Sequence, residues 1–412
     1  MDLPLTGIKV IELAQHLAGP GTGMYLADQG ADVLKVEPIA GDASRKQGGS
    51  RFLRRNTPSY LVLNRNKRGI TLDIRKPEGK AVLLKMVDGA DVLIHNFRVG
   101  VPERLGIGYE DLAKVNPRLV YASITAFGSK GPWAAKGGYD RLTQGLSGAM
   151  YRRGGDGIPL TAGVWISDCS VPMLMSYGIM LALWVRERTG RGQKVETSLL
   201  QAALAMQTTS LIRVEQDVSP PVEVGGPAYG IYHCADDQYL NICALQADQF
   251  GRLCHALDLP HLAIDARFND PEHSTEFRAE VYPIINGILG TRPIGHWMEI
   301  LDAADVPCAP ILARSQVFDQ PQMLENGMLA SVDHPAAGRV NMVGVPVKLS
   351  ATPGVVRKPS PELGEHTSAA SPSTCRRRRG RRFCTSWLPA PMCFSGRFGP
   401  RSTSAWAPIT TR

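Results

Sequence analysis

The stretch Gly7–Val36 reads GIKVIELAQHLAGPGTGMYLADQGADVLKV and holds two short apolar runs separated by a helical pattern. Ile8–Leu13 predicts a buried strand, because it is a short apolar run bounded by small and polar residues. A glycine-rich turn at Gly19–Gly23 and a helix to about Gln29 are expected to follow, and Val33–Val36 predicts a second strand. This order of strand, helix and strand is typical of a parallel βαβ unit.

The same alternation continues to about residue 130 of the chain. Further strands are predicted at Gly69–Asp73, Val92–His95 and Leu119–Thr125, with helices at Pro77–Val87 and around Glu110–Val115. The proline that opens the first of these helices lies where a missing N–H costs no hydrogen bond. The pattern therefore predicts an α/β fold with a doubly wound, Rossmann-like sheet, which binds ligands at the carboxyl ends of its strands.

The rest of the chain divides into segments that differ in composition and in the secondary structure they predict. We expect residues 1–220 to form the first part of a large domain, residues 229–325 a smaller α+β domain, and residues 330–367 a segment that returns to the large domain. Within the last of these, Val340–Leu349 is predicted to form a pair of strands. Residues 368–412 contain nine Arg and no Lys, Asp or Glu. Two interpretations of this tail stay open: a shifted reading frame or disordered segment, which we favour, and a nucleic-acid-binding arm.

The net charge of +8 resides in that tail, because the other 367 residues carry 37 basic and 38 acidic side chains. Composition therefore gives little support to nucleic acid as a partner. The longest uncharged run, Cys169–Val185, favours a buried helix over a membrane span. Neither a signal-peptide pattern, a Cys-x-x-Cys pair nor a Cys/His cluster with zinc-site spacing occurs. We expect a cytoplasmic protein with free thiols, without a metal and without a membrane anchor.

Two motifs invite a phosphate-binding interpretation. The glycines at 19, 21 and 23 fail the dinucleotide fingerprint, because Met24 and Leu26 stand where its last glycine would be, so we expect no nicotinamide cofactor. The segment Arg45–Lys80 holds eleven Lys or Arg and two acidic residues. It is either a solvated basic face or a polyanion site, and its place in the strand-rich part favours a phosphorylated small ligand.

Asp168 immediately precedes the apolar run Cys169–Val185. A carboxylate there faces the start of a helix, where it can serve as a plain N-cap. It can also act as a nucleophile that attacks an acyl carbon. Local sequence leaves both roles open.

The larger pattern resembles the class III CoA-transferases, the CaiB/BaiF family that includes formyl-CoA transferase and carnitine CoA-transferase. The resemblance runs in order from about residue 4 to residue 367. The stretches that carry it include Leu5–Leu13, Ala18–Pro20, Gly30–Pro38, Asn66–Arg68, Asp91–Arg98, Leu105–Tyr109, Asn116–Tyr121, Ser167–Asp168, Arg186–Gln193, Val195–Leu200, Val306–Pro310 and Leu363–Thr367.

The resemblance implies an interlocked homodimer whose large domain binds CoA, with coenzyme A or acyl-CoA as substrate and a small carboxylic acid as acceptor. The residues that it implies for CoA are His16, Leu17, Ala18, Leu72, Arg75, Asn96, Phe97, Arg98, Arg104, Lys136 and Tyr139. It implies that Asp168 is the nucleophile, through an aspartyl anhydride and an aspartyl-CoA thioester. The Gly225–Gly226 pair is the candidate for the mobile glycine loop of the family, without an assigned role here.

The α-methylacyl-CoA racemases of the same superfamily supply the alternative function. They resemble this chain but place a His, followed by Asp, in the segment that matches Gly138–Asp140. Tyr139 stands at that His here, and an ordinary tyrosine, with a pKa near 10, is a poor base at neutral pH. The donor acyl-CoA, the acceptor acid and the activity of a chain with this tail are left open by the sequence.

Overall fold

The computed structural model describes residues 2–46, 56–151, 157–213, 215, 228–269 and 274–367. The chain divides into two compact units: one takes the residues up to Ile212 together with those from Gly327, and the other runs from Arg213 to Asn326. The Gly225–Gly226 pair and the tail from residue 368 lie outside the described residues.

Within the described part of the first unit, six parallel strands form one sheet in the order β3-β2-β1-β4-β5-β6. They are β1 (Lys9–Glu12), β2 (Asp32–Glu37), β3 (Arg68–Thr71), β4 (Val92–His95), β5 (Val120–Thr125) and β6 (Lys194–Ser198). The predicted α/β, Rossmann-like sheet is thereby confirmed. The strand order reverses between β1 and β4, where Val10 lies opposite Val33 on one side and Val92 on the other. A crevice opens at the carboxyl ends of strands at such a reversal.

Helices cover both faces of this sheet. They are α1 (Ala18–Asp28), α2 (Pro58–Leu63), α3 (Pro77–Asp88), α4 (Val101–Leu105), α5 (Tyr109–Val115), α6 (Asp140–Leu146), α7 (Ile166–Thr189) and α8 (Leu199–Ala205). Alternate strand residues enter opposite cores, as the side-chain period of two requires. Val10 and Ile94 pack with the core that contains α1 and α7, whereas Ile11 and Leu93 pack with the core that contains α3.

The expectation of a turn at Gly19–Gly23 is wrong, since these residues form the first part of α1. The glycines serve close packing instead. A Cβ at Gly21 would lie 2.6 Å from Cγ of Pro172 in α7, and one at Gly23 would collide with Oε2 of Glu12 on β1. Glycine therefore lets α1 approach both neighbours, at the cost of lower helix propensity.

The apolar run Cys169–Val185 lies in α7. The prediction that this helix is buried holds for one of its faces only. One face, which includes Val171, Met175 and Ile179, packs in the core. The opposite face exposes large apolar side chains, among them Tyr177 and Trp184. Among the described residues α7 is also the one helix long and apolar enough to cross a bilayer, and 44% of its apolar window is buried within the protein.

The second unit has its own core. Its described strands β7 (Ala228–His233), β8 (Tyr239–Ala244) and β9 (Cys308–Pro310) pair antiparallel. Its helices are α9 (Ala247–Ala256), α10 (Pro260–Ala263), α11 (Ser274–Leu289), α12 (Ile294–Ala303) and α13 (Pro321–Glu325). Phe250, Phe277 and Trp297 are buried together in this core. The unit thus mixes a small antiparallel sheet with helices, as an α+β fold does.

The returning chain forms a hairpin of β10 (Leu329–His334) and β11 (Gly338–Val343). The predicted strand pair at Val340–Leu349 is therefore wrong. The turn lies earlier because the His334 ring accepts the N–H groups of Ala336 and Ala337 through Nδ1, at 3.1 and 3.2 Å. Farther along, the backbone N–H of His366 donates to the Gly69 carbonyl beside β3, at 2.9 Å.

Candidate active site

A cleft of about 650 Å³ lies at the carboxyl ends of the strands near the sheet reversal. We call it the nucleophile cleft. Nine of the predicted site residues line it: His16, Leu17, Ala18, Asn96, Phe97, Arg98, Lys136, Tyr139 and Asp168. They come from the β1–α1 turn, the segment after β4, the chain before α6 and the start of α7. The fold thus brings together residues that are up to 152 positions apart.

A second cleft, of about 940 Å³, lies at the ends of β2 and β3, and we call it the strand-end cleft. Predicted residues Leu72 and Arg75 line it, and Phe97 lines both clefts. The Arg75 side chain is 78% exposed and pairs with Asp73 at 2.8 Å. Arg104, also exposed, lies on α4 and lines neither cleft.

Asp168 is the third residue of α7 and is half-buried in the nucleophile cleft. Its carboxylate is not the cap of its own helix. The cap comes from Asp140 on α6, whose Oδ1 accepts the backbone N–H groups of Ser167 at 2.8 Å and Asp168 at 3.2 Å. Among the described residues, no group donates a hydrogen bond to the Asp168 carboxylate. The plain N-cap interpretation is therefore wrong, because Asp140 and not Asp168 accepts the N–H groups at the start of α7.

The surroundings of Asp168 disfavour its ionised form. Burial raises the pKa of Asp168 to about 7, and the nearby charge of Asp140 adds to the rise. Desolvation and a like charge both act in this direction on a carboxylic acid. A perturbed acid in a cleft is a functional-site candidate on physical grounds.

Buried charged side chains hold the turn that carries His16. His16 has a φ of 66°, in the left-handed region that β-carbon sterics disfavour, and its N–H donates to Oδ1 of Asp42 at 3.2 Å. Asp42 Oδ2 lies 2.9 Å from Nζ of Lys35, which also contacts Glu12 at 3.0 Å. Burial works to lower the pKa of Lys35, but Glu12 and Asp42 raise it above its ordinary value. The lysine is therefore charged and paired inside the fold.

Among the described residues of the basic segment Arg45–Lys80, the cations do not form one continuous exposed face. Three of its cations are buried in ion pairs with acids outside the segment: Arg45 with Glu37, Arg65 with Asp28, and Lys67 with Glu12. A net charge counted along the sequence could not reveal partners that other elements supply.

Three other cations, Arg98, Lys136 and Arg141, line the nucleophile cleft, and contacts of the first two fix their places. The Arg98 guanidinium lies against the backbone at Gly137, where a Cβ would be 2.6 Å from Cζ of the arginine. Lys136 places its Nζ 3.9 Å from the centre of the Trp133 ring, a distance suited to a cation–π contact. Both side chains are charged groups placed at the cleft by the loops that follow β4 and β5.

The sequence analysis assigned no role to Asp140, Trp165 or Ser59, which also line the nucleophile cleft, although Asp140 lies in the segment Gly138–Asp140 that was compared with the racemases. An acidic residue at the start of a short helix, as Asp140 is in α6, was the signal available for one of them. Its action on a second helix depends on tertiary packing and has no local pattern. In the described residues, no group of three or more His, Cys, Asp or Glu is arranged to hold a metal ion.

Comparison with known proteins identifies the family of this chain. Residues 5–367 match CoA-transferase family III. The chain is 35% identical over 379 residues to succinate–glutarate CoA-transferase of Agrobacterium fabrum, with 88% of this chain and 94% of the relative covered. It is 33% identical over 375 residues to acetyl-CoA:oxalate CoA-transferase of Acetobacter aceti, with 89% and 94% covered.

A solved structure of a CaiB/BaiF family protein from Brucella suis superposes with a TM-score of 0.79 at 32% identity, covering 90% of this chain and 98% of that one. The family match spans both units and the returning segment. The resemblance noted in the sequence is thereby confirmed, and the protein is an enzyme that belongs to CoA-transferase family III.

Proposed function

We propose that this enzyme moves CoA from a donor acyl-CoA to a small carboxylic acid, with Asp168 as the nucleophile. The observation that carries the proposal is the Asp168 carboxylate, which lines the nucleophile cleft while Asp140 takes the N–H groups of its helix. A carboxylate without donors of its own keeps its electron pairs available for attack on an acyl carbon.

In this proposal the CoA chain lies across both clefts of the first unit. Phe97 borders both, so a ligand that passes it can reach from the strand-end cleft to Asp168. The nucleotide end would lie near Leu72 and Arg75, and the thioester near Asp168. Arg98, Lys136 and the exposed Arg104 are the cations proposed for the phosphates, since charge-assisted hydrogen bonds suit that role.

The proposed reaction begins when an Asp168 carboxylate oxygen attacks the thioester carbonyl carbon. The C–S bond breaks, which leaves an aspartyl anhydride and CoA thiolate. The thiolate then attacks Cγ of Asp168, and the donor acid leaves with the anhydride oxygen. The resulting aspartyl-CoA thioester passes CoA to the acceptor acid by the reverse steps. Each tetrahedral oxyanion needs nearby donors, as in other acyl transfers.

For the acceptor, we propose a small dicarboxylic acid. The support is the similarity to succinate–glutarate CoA-transferase and acetyl-CoA:oxalate CoA-transferase, whose names give the dicarboxylates glutarate and oxalate as substrates of those enzymes. The protein should be incubated with acetyl-, succinyl- and glutaryl-CoA, quenched, and analysed by intact and peptide mass spectrometry. We expect a CoA adduct on the Asp168 peptide.

The matched controls are Asp168→Asn, which keeps the shape of the side chain, and Asp140→Asn, which alters the neighbouring acid. Loss of the adduct in Asp168→Asn alone supports the assignment. An unlabelled wild-type peptide together with exchange of the substrate α-proton in deuterated solvent would instead identify the racemase.

We also propose that the enzyme is a homodimer in the cytoplasm. The support is the apolar face of α7, where Met173, Tyr177, Leu181 and Trp184 are exposed and recur at helical spacing. Free thiols at the described cysteines suit a reducing compartment. Light scattering should give twice the chain mass, and Trp184→Glu should shift it towards the monomer, whereas the exposed Arg75→Glu should not. Partition of the wild-type protein into lipid vesicles would contradict this assignment.

A further inference from the structure

We propose that Asp140 is a positioning residue that both orients Asp168 and drives its conversion into the covalent aspartyl-CoA intermediate. The inference rests on the proposed function for its chemistry. Its basis is one buried carboxylate, on α6, that faces the first turn of α7 beside the nucleophile.

The hydrogen bonds of Asp140 fix its place. Oδ1 accepts from the N–H groups of Ser167 and Asp168, and Oδ2 accepts from Nε2 of Gln144. The residue is 1% exposed. Both carboxylate oxygens of Asp140 therefore have hydrogen-bond donors, as a buried carboxylate requires.

The partners of Asp140 are themselves held. Gln144 donates to the Val164 carbonyl at 3.0 Å and accepts the N–H of Ala162 at 3.0 Å. The Thr143 hydroxyl lies 2.8 Å from that of Ser167, a second link between α6 and α7. The start of α7, and with it Asp168, is thus attached to α6 through a rigid set of buried bonds.

The charge of Asp140 has no counter-cation, as none of the Lys, Arg or His side chains in the described residues forms an ion pair with it. It is balanced by the N–H groups and dipole at the start of α7, which would otherwise stabilise Asp168. The other titratable or charged side chains around the cleft and the start of α7 are His16, Tyr25, Arg98, Lys136, Tyr139, Arg141 and Cys169. Asp140 is the charged group that raises the pKa of Asp168, in addition to its burial.

This arrangement favours the covalent state. Before reaction, two carboxylates lie beside one helix terminus and repel each other. In the aspartyl-CoA thioester, position 168 is neutral, and the negative charge has left with the donor acid. One carboxylate and one thioester are present both before and after the exchange, so the step balances in atoms and charge. The repulsion between the two carboxylates therefore raises the free energy of the enzyme before the transfer, and formation of the thioester removes this repulsion.

The test compares the wild type with Asp140→Asn, which can still cap α7 through its amide oxygen. Each protein is equilibrated with succinyl-CoA and succinate at a fixed ratio, and the fraction of Asp168 that carries CoA is measured by mass spectrometry. We expect the bound-to-free ratio to fall by about tenfold in the variant, the equivalent of one pKa unit. The pH midpoint of adduct formation should move down by about one unit.

Thr143→Val is the matched control, because it removes a buried α6–α7 hydrogen bond without removing a charge. It should leave the pH midpoint in place even if it lowers stability. If Asp140→Asn does not fold, Asp140→Ser takes its place, because a serine hydroxyl can accept a helix N–H group without carrying a charge, and its pH midpoint should likewise lie below that of the wild type. An unchanged ratio and midpoint in the folded variant would overturn the inference.

A separate readout distinguishes this inference from the proposed function. Urea unfolding is measured from pH 5 to pH 9 for the wild type, Asp140→Asn, Asp168→Asn and the variant that combines these two substitutions. The four proteins form a double-mutant cycle. The coupling between the two positions should be small at pH 5 and grow above pH 7, as Asp168 ionises. If none of the proteins forms an adduct but this coupling is present, the proposed transferase chemistry is contradicted, and the electrostatic link between Asp140 and Asp168 stands. Absence of the coupling would overturn the inference whether or not adducts form.

Discussion

The backbone N–H of His16 donates to Oδ1 of Asp42 at 3.2 Å, and this bond joins the first turn of the nucleophile cleft to a buried ion network. Asp42 in turn contacts Lys35, which also contacts Glu12, and all three side chains are fully buried. The left-handed backbone at His16 is therefore held by a carboxylate that is itself paired with a buried lysine.

Removing one partner from this network should be costly, because the other charges stay buried and unpaired. We expect Lys35→Met to lower the free energy of unfolding by about 3–5 kcal/mol in urea titrations. Arg75→Met, which removes an exposed ion pair, should leave the unfolding midpoint close to that of the wild type. Equal midpoints for both variants would show that the network adds nothing to stability.

The glycines of α1 should be intolerant of even one methyl group. Gly23→Ala would place a Cβ against the carboxylate of Glu12, which is held 2.8 Å from Lys67, and we expect a loss of about 1–3 kcal/mol in stability. The matched control is Gly251→Ala in α9, where nothing lies within 4 Å of a new Cβ. That change should stabilise the protein by up to about 1 kcal/mol through helix propensity. Stabilisation by both changes would contradict the close packing of α1.

The rate of adduct formation should depend on pH through one ionisation near the pKa of about 7 that burial and Asp140 give Asp168. Attack requires the carboxylate, so the rate should be low at pH 5.5, rise through neutrality and level off above pH 8. Rapid-quench mass spectrometry of the Asp168 peptide measures it directly. A profile that is flat from pH 5 to pH 9 would exclude a raised pKa at the nucleophile.

The same raised pKa predicts a pH-dependent effect on stability. In the unfolded chain Asp168 ionises near pH 4, whereas in the folded chain it holds its proton to about pH 7. Ionised Asp168 therefore costs the folded state stability in full above pH 7, and the cost decreases between pH 7 and pH 4 and is absent below pH 4. We expect Asp168→Asn to raise the free energy of unfolding at pH 8 by about 2 kcal/mol, after allowance for solvent screening, and by little at pH 4.

Urea titrations at the two pH values measure this difference. The control is Asp319→Asn, on an exposed carboxylate of the second unit, whose effect should not change with pH in this way. Destabilisation by Asp168→Asn at pH 8 would mean that the carboxylate has stabilising partners in the folded protein.

The sequence pattern predicted five of the six strands of the first unit's sheet, β1 to β5, and did not predict β6. Val92–His95 is a strand in the structure with the predicted bounds, and Pro77 opens α3 as expected. Such segments carry their own signal, because a short apolar run or a proline in the first turn limits the local backbone to few conformations. The ordered motifs also identified the family, and with it Asp168 as the candidate nucleophile.

Tertiary structure alone decided which groups meet. The Gly19–Gly23 segment looks like a turn in sequence, yet it forms the first part of α1, where its glycines leave room for Glu12 and Pro172. Arg45 and Lys67 look like a phosphate site, yet their charges are taken by acids from β1 and β2. Sequence distance hides these partners, since pairing across elements depends on how the elements pack and not on local pattern.

The sequence by itself therefore determined the fold class and the family, and the family resemblance selected Asp168 as the proposed nucleophile. What it could not determine is the state of that carboxylate. Asp140, 28 positions away, takes the hydrogen bonds at the start of α7 and raises the pKa of Asp168 through space. A charge acts over distances of several ångströms regardless of chain separation, so only the folded arrangement of α6 against α7 sets the chemistry of the nucleophile.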